Sequence, residues 1–199
     1  MLEATRILAS QERDFARILD TYGPPPLWAR EPEFATLLRI ILEQQVSLAS
    51  AEAMYRRLEE SIGPLTPIAV LETRASGLRA LGVTRQKSAY FINIAEAIEN
   101  GDIDLDELRR QDDALVFDKL TSIKGIGSWT AGIYLLMALC RPDAWPPGDI
   151  ALLTAYKNLK GLRRRPVSAE LDQVAETWRP HRATAARLLW HYYLSEKQG

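Results

Sequence analysis

The stretch LTSIKGIGSWTAGIYLLMALCRPDAWPPGDIALL, residues 120–153, decides the fold. It contains a Gly-x-Gly turn at 125–127, an apolar run at 129–140, and then an acid that follows two prolines and a glycine. Two glycines allow a tight turn between two helices and let amide N–H groups point outward near a helix N-terminus, where they can bind an anion such as a phosphate. An ordinary corner between two helices would explain an isolated turn of this kind just as simply.

The acid of this stretch is Asp149, which lies 22 positions after Gly127. An aspartate between Pro-Pro-Gly and an apolar helical segment is a good N-cap, because its carboxylate accepts hydrogen bonds from the first-turn amides. Most aspartates in that position are only caps. The combination of turn, apolar helix and acid on a rigid corner is what makes Asp149 a candidate for chemistry as well.

Helical periodicity dominates the rest of the chain. Apolar residues recur at spacings of three and four, and sustained alternation with a period of two is hard to find, so we expect an all-helical fold. The run at 129–140 is apolar on nearly all sides, so we expect it to be buried at the centre. The predicted helices lie at about 4–22, 34–61 with a break around 45–47, 67–72, 84–101, 113–123, 129–140, 149–160, 168–178 and 180–197.

Composition and charge limit the class of protein. With 199 residues, of which 47% are hydrophobic, the chain can bury a substantial core. Its net charge is -1, so the global basic signature of many nucleic-acid-binding proteins is absent. A locally basic face remains open, as do simply solvated helix faces. The clustered basic residues are Arg85, Lys87, Arg163, Arg164, Arg165, Arg179, Arg182 and Arg187.

Potential metal ligands are scarce. Cys140 is the only cysteine, and His181 and His191 are the only histidines. These numbers exclude a disulfide framework, an iron–sulfur cluster held by four cysteines and the usual zinc spacing, so we expect chemistry without a cofactor. The N-terminal segment carries charges throughout, and no apolar run suits a signal peptide or a membrane span. The expected location is therefore the cytoplasm, or the nucleus if the organism is a eukaryote.

The segments KGIGSWTA, residues 124–131, and RPDAWPPGDIAL, residues 141–152, make the chain similar to the helix–hairpin–helix glycosylase superfamily. Its signature is a (P/K)-G-(I/V)-G hairpin, a helix, and an aspartate before the next helix. Within the superfamily, the chain most resembles the 3-methyladenine DNA glycosylase II branch. The likeness covers about residues 34–193. It includes LRIILEQQVSLASAEAMYRRL at 38–58, LGVTRQKSAYF at 81–91 and ETWRPHRATAARLLWHYY at 176–193.

This resemblance implies an endonuclease III-like fold, in which two helical subdomains flank a cleft. Residues 30–141 would form a central subdomain that holds the hairpin. Residues 1–29 and 142–199 would form a terminal subdomain, and the whole chain would be one glycosylase domain. A structural monovalent cation at the hairpin is compatible with the resemblance.

The resemblance also implies a monofunctional DNA glycosylase of base excision repair that rotates alkylated bases out of duplex DNA. Asp149 would be its catalytic carboxylate. Bifunctional relatives such as endonuclease III carry a lysine at the position of Trp129, and that amine forms a Schiff base with the sugar. Because tryptophan stands there, no lyase activity is expected. We expect the protein to act as a monomer on DNA that contains a damaged base.

The remaining site predictions concern the base and the DNA backbone. Aromatic faces attract cationic bases, although each of these aromatic residues could equally serve in packing. His181 replaces the second tryptophan of a W-x-P-W-R pattern, and a histidine can stack on a base or titrate near neutral pH. Gln45 aligns with the residue that relatives push into the duplex. The predicted base-recognition residues are Trp129, Tyr134, Trp145 and His181, and the predicted DNA-binding residues are Gln45, Lys124, Gly125, Gly127, Ser128 and Thr130.

Two alternatives remain open at this point. The protein could be a glycosylase for another lesion, such as uracil, hypoxanthine or an oxidised purine. It could also be a non-catalytic helix–hairpin–helix module that binds DNA, with Asp149 serving only as a cap.

Overall fold

The computed structural model describes residues 1–197, and this part of the chain contains twelve α-helices and no β-strand. The all-helical prediction is therefore confirmed for these residues. None of their helices has the length and apolar character needed to cross a membrane. The helices are α1 (Leu2–Gln11), α2 (Arg13–Tyr22), α3 (Phe34–Glu43), α4 (Leu48–Ile62), α5 (Pro67–Ala80), α6 (Arg85–Glu99), α7 (Leu105–Leu108), α8 (Asp113–Thr121), α9 (Ser128–Ile133), α10 (Ile150–Leu159), α11 (Ser168–Ala175) and α12 (Arg182–Glu196).

The chain forms two compact units. Residues 1–29 together with the segment from Cys140 onward form one of them, which we call the terminal unit. Residues 30–139 form the other, the central unit. The terminal unit is therefore discontinuous in sequence, whereas the central unit is one continuous segment.

Helix α12 is the core of the terminal unit, where it packs against α10, α2 and α1. Every residue from Ala183 to Trp190 is buried. Three of these residues are alanines, whose small side chains let the neighbouring helices approach closely. Burial on all sides explains why α12 lacks the single apolar stripe of a surface helix.

Helix α3 has the same role in the central unit, where it packs against α4, α6 and α9. Residues 130–136 of the apolar run that follows the hairpin are buried, as the sequence predicts. This helix changes its winding after Ile133. Residues Tyr134–Ala138 form a π-helical turn in which the Leu139 amide donates to the Tyr134 carbonyl at 3.0 Å. Such turns are rare, and the sequence pattern does not predict this one.

The structure differs from the predicted helices in three places. The helix expected at 4–22 is broken at Glu12, whose backbone is extended although neither glycine nor proline stands there. The predicted end near residue 72 agrees with the kink at Arg74, whose φ of 58° and ψ of 164° are not helical, but the pattern misses the second helical segment of α5, which continues from that kink to Ala80. Helix α7 was not predicted because it is a single turn, which Asp104 caps by accepting from two amides.

Candidate active site and DNA-contacting elements

Asp149 lies at the N-terminus of α10 in the terminal unit. The preceding corner ends in Gly148, whose φ of 74° is in the left-handed region that favours glycine. Asp149 itself has extended backbone angles, and its Oδ1 atom accepts a hydrogen bond from the Leu152 amide at 2.9 Å. The predicted cap is therefore present. The side chain is held at the positive end of the helix dipole, where an ionised carboxylate is stabilised.

Trp190 provides a second donor to the same carboxylate. Its indole Nε1 atom donates to Asp149 Oδ1 at 3.2 Å, and the two residues are only 8% and 9% exposed. A capping bond alone leaves a side chain able to rotate about the bonded oxygen. Two donors that reach Oδ1 from α10 and from α12 fix the orientation of the carboxylate much more closely. The Asp149 carboxylate is thus preorganised, as electrostatic stabilisation of a transition state requires.

Trp28 packs against the Trp190 ring. The two rings meet edge to face, with centroids 6.3 Å apart and an interplanar angle of 77°. Trp28 has a φ of 49°, which is uncommon for a residue other than glycine. The carbonyl before it, that of Leu27, accepts a hydrogen bond from Arg187 Nε at 2.8 Å. Arg187 thereby helps to hold the strained segment that supports Trp190.

The sequence did not point to Trp28 or Trp190. Trp190 lies inside the apolar α12 pattern and looks like any core residue, and Trp28 follows a triple proline in an irregular segment. The contact between Trp190 and Asp149 joins positions 41 residues apart. Local pattern cannot reveal a hydrogen bond over that separation.

The Trp190 bond leads to a testable expectation. Replacing Trp190 with Phe removes the indole donor and keeps an aromatic ring. We expect single-turnover excision to slow by about tenfold, a loss typical of one hydrogen bond to a charged group. Single-turnover rates on a lesion duplex would measure this loss. Trp178→Phe, which removes another buried indole of the same unit, is the matched control, and equal rates in both variants would refute the orienting role of Trp190.

Two other predicted recognition residues also lie in the terminal unit. Trp145 donates its indole N–H to Asp172 at 2.8 Å, and its ring packs edge to face on Trp178. His181 is the N-cap of α12 and is half-buried, and its side chain makes no capping hydrogen bond. These contacts give Trp145 a structural use, and its role toward a base stays a prediction, as does that of His181.

The late arginine cluster does not form a free basic face. Arg179 and Arg182 both pair with Asp143, and both also pair with Glu176. Arg187 is 3% exposed, and burial lowers the pKa of its guanidinium. The basic-face interpretation is therefore wrong for these three arginines. These ion pairs instead hold the start of α12 in place, because Arg182, its first residue, pairs with Asp143 and with Glu176.

The predicted hairpin lies in the central unit between α8 and α9. The Ile126 amide donates to the Ile123 carbonyl at 3.0 Å, and Gly127 is the N-cap of α9. Lys124, Gly127 and Ser128 are exposed. Gly127 has no side chain, so the N-cap position itself supplies no acceptor to the first-turn amides of α9.

Gly125 is the position where the hairpin requires glycine. Its φ is 116°, and a Cβ atom added there would lie 2.4 Å from Cγ of the Tyr90 ring. Asn93, on the same helix α6, donates to the Lys124 carbonyl at 3.0 Å. The backbone of the hairpin thus rests directly on α6.

The predicted wedge residue, Gln45, lies in the exposed turn between α3 and α4. Its φ is 58°, so the turn passes through the left-handed region there. The neighbouring Gln44 side chain donates to the Thr130 hydroxyl at 2.9 Å and lies 3.4 Å from the Gly125 carbonyl. Two side-chain amides, those of Gln44 and Asn93, therefore already engage the carbonyls of Gly125 and Lys124. The monovalent cation compatible with the resemblance stays a prediction.

The apolar helix after the hairpin carries the other predicted residues. Trp129 is half-buried. Thr130 is 1% exposed, and its hydroxyl accepts the Gln44 bond, so the structure gives it a use inside the unit. Tyr134 is fully buried, and burial raises the pKa of its phenol above the usual range. Within residues 1–197, the Tyr134 hydroxyl has no hydrogen-bond partner.

Comparison with known proteins agrees with this arrangement. Residues 38–180 match the model of the family described as HhH-GPD superfamily base excision DNA repair protein. The chain belongs to this superfamily. The hairpin at 124–127 and Asp149 both lie inside the matched range.

Individual relatives support the same conclusion. DNA-3-methyladenine glycosylase 1 of Schizosaccharomyces pombe is 28% identical over 87% of this chain and 78% of its own length. A DNA-3-methyladenine glycosylase of Bacillus subtilis is 28% identical over 79% of this chain, which spans only 56% of that relative. The solved structure of the S. pombe 3-methyladenine DNA glycosylase in complex with abasic DNA superposes with a TM-score of 0.86, at 27% identity. That superposition covers 98% of this chain and 97% of the other.

Proposed function

We propose that this protein is a DNA glycosylase that removes alkylated bases of the 3-methyladenine and 7-methylguanine type. Asp149 is its catalytic carboxylate. The orientation of that carboxylate by Leu152 and Trp190 is the observation that supports the proposal most strongly. Relatives that bear the name of this activity and align over most of the chain add to it.

The chemistry follows from the charge that develops on the sugar. A base inside a duplex is out of reach, so the enzyme rotates the nucleotide outward before the reaction. As the N-glycosidic bond breaks, its electron pair leaves with the base and the sugar becomes positively charged. Asp149 stabilises that charge and accepts a proton from the water that attacks the sugar carbon. An alkylated base already carries a positive charge, so its departure needs no general acid.

Trp129 bears on both recognition and reaction type. An indole ring can stack on a cationic base, which contributes about 0.5–2 kcal/mol depending on desolvation. Tryptophan also stands where bifunctional members of the superfamily carry their lysine nucleophile, so the proposed enzyme has no lyase activity. Lys124 is a phosphate contact in this proposal. Borohydride added during the reaction should trap no covalent adduct with DNA, and a trapped adduct would overturn the monofunctional assignment.

A panel of lesions tests the proposed substrate class. Duplexes that each contain one damaged base would be incubated with excess enzyme, and the free base would be measured over time. We expect release of 3-methyladenine and 7-methylguanine, with much slower release of uracil, hypoxanthine and 8-oxoguanine. Preferred release of uracil, hypoxanthine or 8-oxoguanine would contradict the proposed substrate class and identify that base as the preferred lesion. Failure to release any base, while DNA binding persists, would favour the non-catalytic module.

One observation favours a substrate range that differs from that of other members of the branch. His181 places a smaller imidazole ring where other members of the branch carry an indole. The alternative function is therefore a glycosylase whose preferred lesion is neutral, such as hypoxanthine. The partner in either case is duplex DNA bound by a monomer, in the compartment that holds the genome.

A further inference from the structure

Helix α6 connects the two elements of the central unit that are expected to contact DNA. Lys87, Tyr90 and Asn93 follow one another at three-residue spacing, which places them along one side of the helix. Tyr90 and Asn93 both support the hairpin, because the Tyr90 ring lies against Gly125 and the Asn93 side chain donates to the Lys124 carbonyl. Lys87 reaches the other element, the turn at 44–47 that includes Gln45.

Lys87 closes the C-terminus of α3. Its Nζ atom donates to the Leu42 carbonyl at 2.8 Å and to the Gln44 carbonyl at 2.9 Å. Carbonyls at the end of a helix lack partners within the helix, and a cation there also interacts favourably with the helix dipole. The two hydrogen bonds are assisted by the lysine charge and are therefore stronger than bonds between neutral groups.

The turn beyond this lysine needs such support. Gln45 is in the left-handed region, and the residues from Gln45 to Ser50 are all exposed. The turn is otherwise held by the Gln44 side chain on Thr130 and by Ser47, which caps α4. Lys87 is the group that connects the backbone of the turn to α6, and thus to the helix on which the hairpin rests.

We propose that Lys87 is a positioning residue that keeps the Gln45 turn in register with the hairpin, so that the turn can fill the gap left by a rotated nucleotide. This proposal rests on the proposed function, because it assumes that the protein acts on a nucleotide taken out of the duplex. Lys87 itself contacts protein carbonyls and need not touch DNA. Burial lowers the pKa of its ammonium, which agrees with a site that is partly shielded from water.

Binding measurements without any excision step test this role. The probe is a duplex with a tetrahydrofuran abasic-site analogue, compared with the intact duplex of the same sequence at several salt concentrations. In Lys87→Met we expect the preference for the abasic duplex to fall by about tenfold, as two charge-assisted bonds are lost. Affinity for the intact duplex and its salt dependence should stay the same.

A direct phosphate contact would give a different result. Lys87→Met would then weaken binding to both duplexes alike and reduce the salt slope by about one. Either that pattern or an unchanged abasic preference would overturn the proposal. Lys119→Met is the matched control, because the Lys119 ammonium forms a surface ion pair with Glu107 at 3.4 Å. It should leave both affinities unchanged.

A double-mutant cycle keeps the test decisive. If Lys87 acts through the turn, Lys87→Met should cause little further loss of abasic preference in a Gln45→Ala background, whereas independent effects would add. If Lys87→Met fails to fold, Lys87→Arg replaces it, and the geometry of its planar guanidinium should cause a smaller loss of the same kind. If wild type releases no base but Lys87→Met still loses the preference for the abasic duplex, the positioning role of Lys87 is supported and the proposed activity is refuted. Failure of the one proposal is therefore distinguishable from failure of the other.

Discussion

Replacing Asp149 with Asn should reduce single-turnover base release by about a hundredfold to a thousandfold or more, as expected when a preorganised electrostatic group is removed from a reaction centre. The amide is neutral, so it neither stabilises the positive sugar nor accepts a proton from water. It remains a good N-cap, and its oxygen can still accept from Leu152 and Trp190. We therefore expect folding and DNA binding to stay close to those of the wild-type protein.

Asp112 offers a matched control for this substitution. It caps α8 by accepting from the Leu115 amide at 3.0 Å, so Asp112→Asn makes the same chemical change at another helix N-terminus. Base release, thermal unfolding and binding to an abasic duplex would be measured for both variants. Comparable base release by Asp149→Asn and wild type would show that Asp149 is only a cap.

Gly125→Ala should be the most damaging small substitution in the hairpin. The added methyl group would meet the Tyr90 ring at 2.4 Å, and alanine would be strained at a φ of 116°. Backbone strain and overpacking each cost about 1–3 kcal/mol, so we expect the thermal midpoint to fall by roughly 10 °C. DNA affinity should fall as well, because the hairpin can no longer rest on α6 in the same way.

Gly127→Ala separates folding from binding in this hairpin. Its φ is −90°, and a Cβ atom there would have no neighbour within 4 Å among the described residues. We expect its thermal midpoint to match that of wild type, while the methyl group obstructs the approach of a phosphate and weakens DNA binding. Equal destabilisation by both alanines would show that the Tyr90 contact does not explain the glycine at 125.

Local chemistry made much of this structure predictable. Asp149 caps the helix that the sequence assigns to it, and Thr66 and Thr84 cap α5 and α6 in the same way, because capping depends on residues only three positions apart. The break around 45–47 was predicted as well, and α3 and α4 lie on either side of it. The family signature also depends on short spacings, so the superfamily could be recognised from sequence.

What could not be predicted depends on distant contacts. The break at Glu12 is stabilised by Lys160, which pairs with both Glu12 and Asp14. The support of Asp149 comes from α12, and the hairpin rests on a tyrosine that precedes it by 35 positions. In each case the sequence around one of the two partners looks like that of an ordinary surface or core residue. Only the packed structure shows that it has a second use.

The discontinuity of the terminal unit has a consequence for biosynthesis. Helices α1 and α2 leave the ribosome long before α12, their packing partner, has been translated, whereas the helices of the central unit are translated one after another. The ring contact between Trp28 and Trp190 and the hydrogen bond from Trp190 to Asp149 can form only after Trp190 has been translated. A nascent chain therefore cannot assemble the orienting contacts around the carboxylate until α12 has been translated, and a premature stop before α12 would leave Asp149 without the Trp190 hydrogen bond.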